Sequence, residues 1–154
     1  MRRVRPQRRS FVDLYRITIG DYIIAAAALL TLISLFLPWF TSSLTGAHSQ
    51  WAFTYSEVVA VIVIVFFLAT LILIVYPALS ADLNMRALPF ATPLLFLTMG
   101  AILLLLFTYE LGKYGCIQCA GVSRGIGVWI AWIAAWAFLF GAIIKWGSRP
   151  DARL

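Results

Sequence analysis

Charge is what this sequence has least of. Asp, Glu, Lys and Arg together make up 12% of its 154 residues, against 63% hydrophobic ones. Soluble domains average roughly 25% and 45–50%. The scarcity is concentrated. Four runs, Tyr22–Phe40, Val58–Tyr76, Phe90–Tyr109 and Ile126–Ile144, contain no charged residue and no histidine. Ion-coupled transporters, proton pumps and voltage sensors place ionisable groups within the bilayer, so this absence argues against substrate-coupled transport. Metal-binding residues are equally scarce. One histidine, His48, and two cysteines, Cys116 and Cys119, fall short of the four ligands of a tetrahedral metal site. No nucleophile–base pair or phosphate-binding loop is recognisable, so no catalytic residue, metal or cofactor is assigned.

What the sequence does have is apolar length. A soluble chain of this size lacks the interior to hide it, so the composition asks for lipid. Each run is 19 or 20 residues long, and about 20 helical residues cross a hydrocarbon core of roughly 30 Å. The runs lack the apolar–polar alternation of a barrel strand, and helices satisfy their own backbone hydrogen bonds in lipid. The expected fold is an all-α integral membrane protein with four transmembrane helices in an antiparallel bundle. The spans are expected at about 22–40, 58–77, 90–109 and 126–146. Residues 22–146 would then form one transmembrane domain, residues 1–21 a basic arm with a short interfacial helix, and residues 147–154 a tail. Ser10 and Asp13 have the spacing of a capping box for the interfacial helix, Gly20 can end that helix, and Asp21 can cap the first span. Pro38 and Trp39 are expected to mark the outer end of the first span, with Trp39 at the headgroup level. Pro77 should end the second span, and Pro89 and Pro93 should open the third.

The few charges are unevenly placed. Arg2, Arg3, Arg5, Arg8, Arg9 and Arg16 precede the first span, Arg86 follows the second, and Lys145, Arg149 and Arg153 follow the fourth. Only Lys113 and Arg124 fall on the other side. The positive-inside rule then puts both the N-terminus and the C-terminus in the cytoplasm, in a multi-pass protein of a bacterial-type plasma (inner) membrane. Arg2, Arg3, Arg5, Arg8 and Arg9 read as lipid headgroup contacts, at about 1 kcal/mol per basic residue near an anionic surface. No aromatic residue is interleaved with them, which argues against nucleic acid. Arg8-Arg9-Ser10-Phe11-Val12 resembles the arginine pair of twin-arginine export signals, but Asp13 stands where those signals carry a basic residue. Glu57 and Glu110, at the outer helix ends, read as headgroup-level groups paired with Lys113 or Arg124.

Cys116-Ile117-Gln118-Cys119 is the one motif with redox potential. It lies in the outer loop, flanked by Gly115, Gly121, Gly125 and Gly127, on the side where thiols tend to be oxidised. One reading is a small disulfide that tightens the loop. The other is a thiol–disulfide exchange site, whose first thiol needs a helix N-terminus or nearby positive charge. The spacing, just before the fourth span, resembles the C-x-x-C of vitamin K epoxide reductases. That family relays electrons through a further loop pair of cysteines, which this sequence lacks.

Trp129, Trp132 and Trp136 follow one another at i, i+3 and i+7 on one face of the fourth span, and face lipid, a partner subunit or a quinone. Ala137-x-x-x-Gly141 and the patch Ala25–Ala28 offer small residues for close helix packing. The expectation is a non-enzymatic accessory, scaffolding or assembly-forming subunit. Its expected partners are membrane lipids and either other membrane subunits or further copies of itself. The alternatives are an exoplasmic thiol–disulfide oxidoreductase built on Cys116 and Cys119, and a lipid- or quinone-binding bundle with Trp132 and Trp136 in its site.

Overall fold

A computed structural model describes residues 17–42, 48–52, 56–79, 91–113 and 122–148. In chain order these form α1 (Ile19–Ser34), β1 (Pro38–Ser42), β2 (His48–Trp51), α2 (Glu57–Leu79), α3 (Ala91–Lys113), β3 (Val122–Arg124) and α4 (Ile126–Gly147). The helices dominate, as the composition requires. α2, α3 and α4 are long and apolar enough to cross a membrane, and α1 is a shorter apolar helix of 16 residues. The chain therefore has the build of an integral membrane protein. The expected interfacial helix and its Ser10–Asp13 cap lie outside the described residues.

The first helix departs most from expectation. It starts at Ile19, because Thr18 is its N-cap. The Thr18 side chain accepts from the Asp21 backbone N–H, and Asp21 Oδ2 accepts in return from the Thr18 N–H at 2.9 Å and hydroxyl at 2.7 Å. This reciprocal box satisfies donors that a helix N-terminus leaves free. Asp21 is thus the third helical residue rather than the cap, and Gly20 lies inside α1. The helix also stops early, at Ser34 instead of Phe40. The N–H groups of Leu35, Phe36 and Leu37 bond to carbonyls three residues back, at 3.2, 3.0 and 3.2 Å, a tightened last turn. Pro38 then offers no N–H, and the chain becomes extended.

Those extended residues build a feature that an all-helical reading leaves out, a three-stranded antiparallel sheet in the order β2-β1-β3. Pro38 pairs with Trp51 and Phe40 with Gln50, so Trp39 is an extra residue on β1. Such a bulge re-aims a side chain. Here it lets the consecutive residues Trp39 and Phe40 both point into the core. On the other edge of β1, Phe40, Thr41 and Ser42 pair with Arg124, Ser123 and Val122.

The other helices keep closer to their runs. α4 coincides with its expected span to within a residue. α3 extends four residues past Tyr109, with Pro93 in its first turn. α2 passes through Pro77 to Leu79; the proline removes only the bond to the Leu73 carbonyl, a loss that membrane helices tolerate.

α1 packs most extensively on α4 and runs antiparallel to it: the start of α1 lies on the end of α4, and Trp39, just past α1, lies on the start of α4. The seam is made of small residues. A Cβ on Gly20 would come within 2.8 Å of the Gly141 carbonyl oxygen, and one on Gly141 within 2.9 Å of Ile24 Cγ1. Ala27, Ala28, Ala131, Ala134 and Ala135 continue the buried stripe. In lipid, association rests on close packing rather than on the hydrophobic effect, so small residues concentrate here. Two buried clusters result. Ile24, Phe96, Met99 and Phe138 lie toward the chain termini, and Leu35, Trp39, Val63, Leu103, Phe107 and Val128 toward the sheet. α2 is the least covered helix, with 22% of its span buried against 44% for α4.

Candidate functional sites at the two ends of the bundle

At the terminal end, the side chains of Asp21, which is buried, and Lys145, which is partly exposed, form an ion pair between α1 and α4. Lys145 Nζ also lies 4.8 Å from the centre of the Phe96 ring, which adds a cation–π contact from α3. Asp21 is therefore fully engaged: one oxygen serves the helix cap and the other the lysine. Lys145, counted in the sequence as one of the cytoplasmic topology charges, also fastens three helices together.

At the sheet end, Trp39 is wholly buried within the protein. Its indole N–H donates to the Ser34 carbonyl at 2.7 Å, closing the end of α1, and its ring meets Phe107 edge-on at 5.9 Å. Gly125 and Gly127, which flank the cysteine loop in the sequence, are close-approach positions. The Gly125 N–H donates to the Trp39 carbonyl at 2.7 Å, and a Cβ on Gly125 would come within 2.1 Å of the Pro38 oxygen.

Glu110 differs most from its expectation as a headgroup-level, ion-paired group. It is only 3% exposed, and its Oε2 is enclosed with no hydrogen-bond partner. It lies one turn beyond Phe107 and two beyond Leu103, on the face of α3 that builds the core. No ion pair joins it to Arg124, which is exposed, and the Lys113 side chain lies outside the described residues. Glu57 is exposed at the start of α2. The sequence signal was available, because Glu110 continues the 3–4 spacing of Leu103 and Phe107. The apparent end of the apolar run at Tyr109 hid it.

Midway along the bundle, Ala28, Thr31, Val63, Phe66, Phe67, Thr70, Leu103 and Phe138 enclose a cavity of about 10 Å³. That is room for about one water molecule, not for a lipid or a quinone. The Thr31 and Thr70 hydroxyls each donate to a carbonyl on their own helix, at 2.9 and 2.7 Å.

The tryptophan face is present as a ladder. Trp129 and Trp132 meet edge-to-face at 6.3 Å, and Trp132 and Trp136 at 6.1 Å. Trp132 N–H donates to the Thr108 hydroxyl at 3.2 Å, tying α4 to α3, while Trp129 and Trp136 are exposed. Cys116 and Cys119 lie outside the described residues, as do Arg2, Arg3, Arg5, Arg8 and Arg9. Among the described residues, no group of three His, Cys, Asp or Glu side chains could hold a metal ion.

This is a helical integral membrane protein with a small sheet closing one end of its core. In comparisons with known proteins, no family model and no curated protein matches the chain.

Proposed function

We propose that the chain crosses a plasma membrane four times, with both termini in the cytoplasm, and acts as a non-enzymatic accessory subunit that holds another membrane helix. α1 is the short crossing, completed by the residues that lead into β1. The basic arm and Arg86 set the orientation, which puts the sheet and the Cys116–Cys119 loop on the outer face. The observation that carries the accessory role is the uneven cover of the helices. α2 is held mainly by α1 and touches α3 little, and Val58, Val61, Val65, Leu68, Ile72 and Val75 leave one continuous face of it uncovered. Their 3–4 spacing is that of a seam for a second helix crossing at a shallow angle.

The test is photocrosslinking in cells from p-benzoylphenylalanine placed at Val61, Leu68 or Ile72, with the buried Val63 as control. Protein adducts at the three outward positions, and none at Val63, are expected. Adducts with lipid alone at all three would remove the accessory reading. The tryptophan ladder favours a second reading, a lipid- or quinone-binding surface along Trp129–Trp136. Two of its three rings are exposed, and all three are held in fixed mutual orientation.

A further inference from the structure

We propose that Glu110 is a proton-binding site at the sheet end of the bundle, a carboxyl group that takes a proton as the hydrogen-bond donor its enclosure otherwise lacks. The inference stands on geometry and does not depend on the accessory role. Glu110 is 3% exposed, and Oε2 has no partner. An enclosed polar oxygen of this kind is rarely left unsatisfied, and an ionisable residue within a span marks a functional site, most often for protons or ions.

The surroundings narrow the ligand. Glu110 sits in the last turn of α3, where the helix presents free carbonyl oxygens rather than N–H groups, so no backbone donor of its own helix reaches it. The same helix end favours positive over negative charge. Among the described side chains no cation answers that preference; those of Lys113 on α3 and His48 on β2 lie outside the described residues. On α3 the neighbouring Tyr109 is exposed; α1 and α4 carry their ionisable groups, Asp21 and Lys145, at the opposite end. α2 carries Glu57 at its exposed start and Tyr76 near its other end, β3 only the exposed Arg124, and β1 no ionisable residue. The side chains on the same face, Phe107 and Leu103, carry no oxygen, and among the described residues no group of three His, Cys, Asp or Glu side chains could hold a metal ion. A proton needs no more than the one oxygen, and it reaches an enclosed atom without room for a hydration shell.

The experiment uses the full chain in lipid vesicles and the hydrophobic reagent dicyclohexylcarbodiimide. The acid proton of a protonated carboxyl moves to one carbodiimide nitrogen while the carboxyl oxygen bonds to the central carbon. The acyl group then shifts from oxygen to nitrogen to give a stable N-acylurea, with no leaving group. Peptide mapping should find one intact reagent added at Glu110, less of it as pH is raised, and none in Glu110→Gln. The Gln variant keeps the shape, and its tryptophan spectrum should match that of the parent. A water-soluble carbodiimide should leave Glu110 untouched. Absence of the adduct at every pH between 5 and 8 in folded protein would overturn the proposal. So would equal labelling by the water-soluble reagent, which would put Glu110 in contact with solvent.

Discussion

Asp21 and Glu110 are both carboxyl groups enclosed at helix ends, 4% and 3% exposed, yet Asp21 engages Thr18 and Lys145 while Glu110 Oε2 engages nothing. The difference lies in which end of a helix each occupies. Asp21 is in the first turn of α1, where backbone N–H groups are free and the dipole favours negative charge. Glu110 is in the last turn of α3, where the free groups are acceptors. The same side-chain chemistry is a fastener at one end of the bundle and an unanswered acceptor at the other. A buried carboxyl group in this chain is structural where the helix supplies donors, and open to a ligand where it does not.

The largest effect expected from breaking this comparison comes from Lys145→Met. Removing one partner of a fully buried pair costs about 3–5 kcal/mol; here Asp21 is left uncompensated between α1 and α4, and the loss falls below that range because Lys145 is partly exposed. Unfolding midpoints in mild detergent should fall accordingly, and adding Asp21→Asn should recover part of the loss. Full additivity of the two changes would show that the pair does not couple. Glu110→Leu should act in the opposite direction. Replacing an unsatisfied buried polar group with an apolar one is near neutral or gains about 1 kcal/mol, so the same melts should stay level or rise. A drop comparable to that of Lys145→Met would mean that Glu110 is held as tightly as Asp21. The smallest change tests the ladder. Trp132→Phe should lose the bond to Thr108, worth about 0.6 kcal/mol between membrane helices, whereas Trp136→Phe should leave the midpoint unchanged.

Helical architecture was legible because lipid imposes one rule on every span, and α4 runs almost residue for residue as its apolar stretch does. The small-residue seam was legible too, in Gly141 and the alanines of α1. What the apolar runs concealed was their ends. Thr18 extends α1 backwards through a capping box, whereas Pro38 and the bulge at Trp39 cut it short and turn the chain into strand. Pairing between β1 and β3, some eighty residues apart, leaves no local periodicity in three- to five-residue strands. The inward pairing of Lys145 and the burial of Glu110 were missed for a related reason. A charge just beyond an apolar run looks like a solvated end, and only packing between helices decides which side of the helix it is on. The burial of Trp39 was hidden in the same way, since an indole suits a headgroup layer and a core equally well.

The shortness of α1 has one more consequence. At about 1.5 Å per residue its 16 residues reach about 24 Å, whereas the 23 residues of α2 and of α3 reach about 35 Å. In the proposed four-span arrangement, the helical wall on the α1 flank is lower than a hydrocarbon layer of roughly 30 Å, and the residues leading into β1 make up the rest of the crossing. A bilayer would answer the difference by thinning or leaning there, at a fraction of a kcal/mol per ångström. That arrangement would carry a hydrophobic mismatch on the α1 side, which favours thin membranes over thick ones.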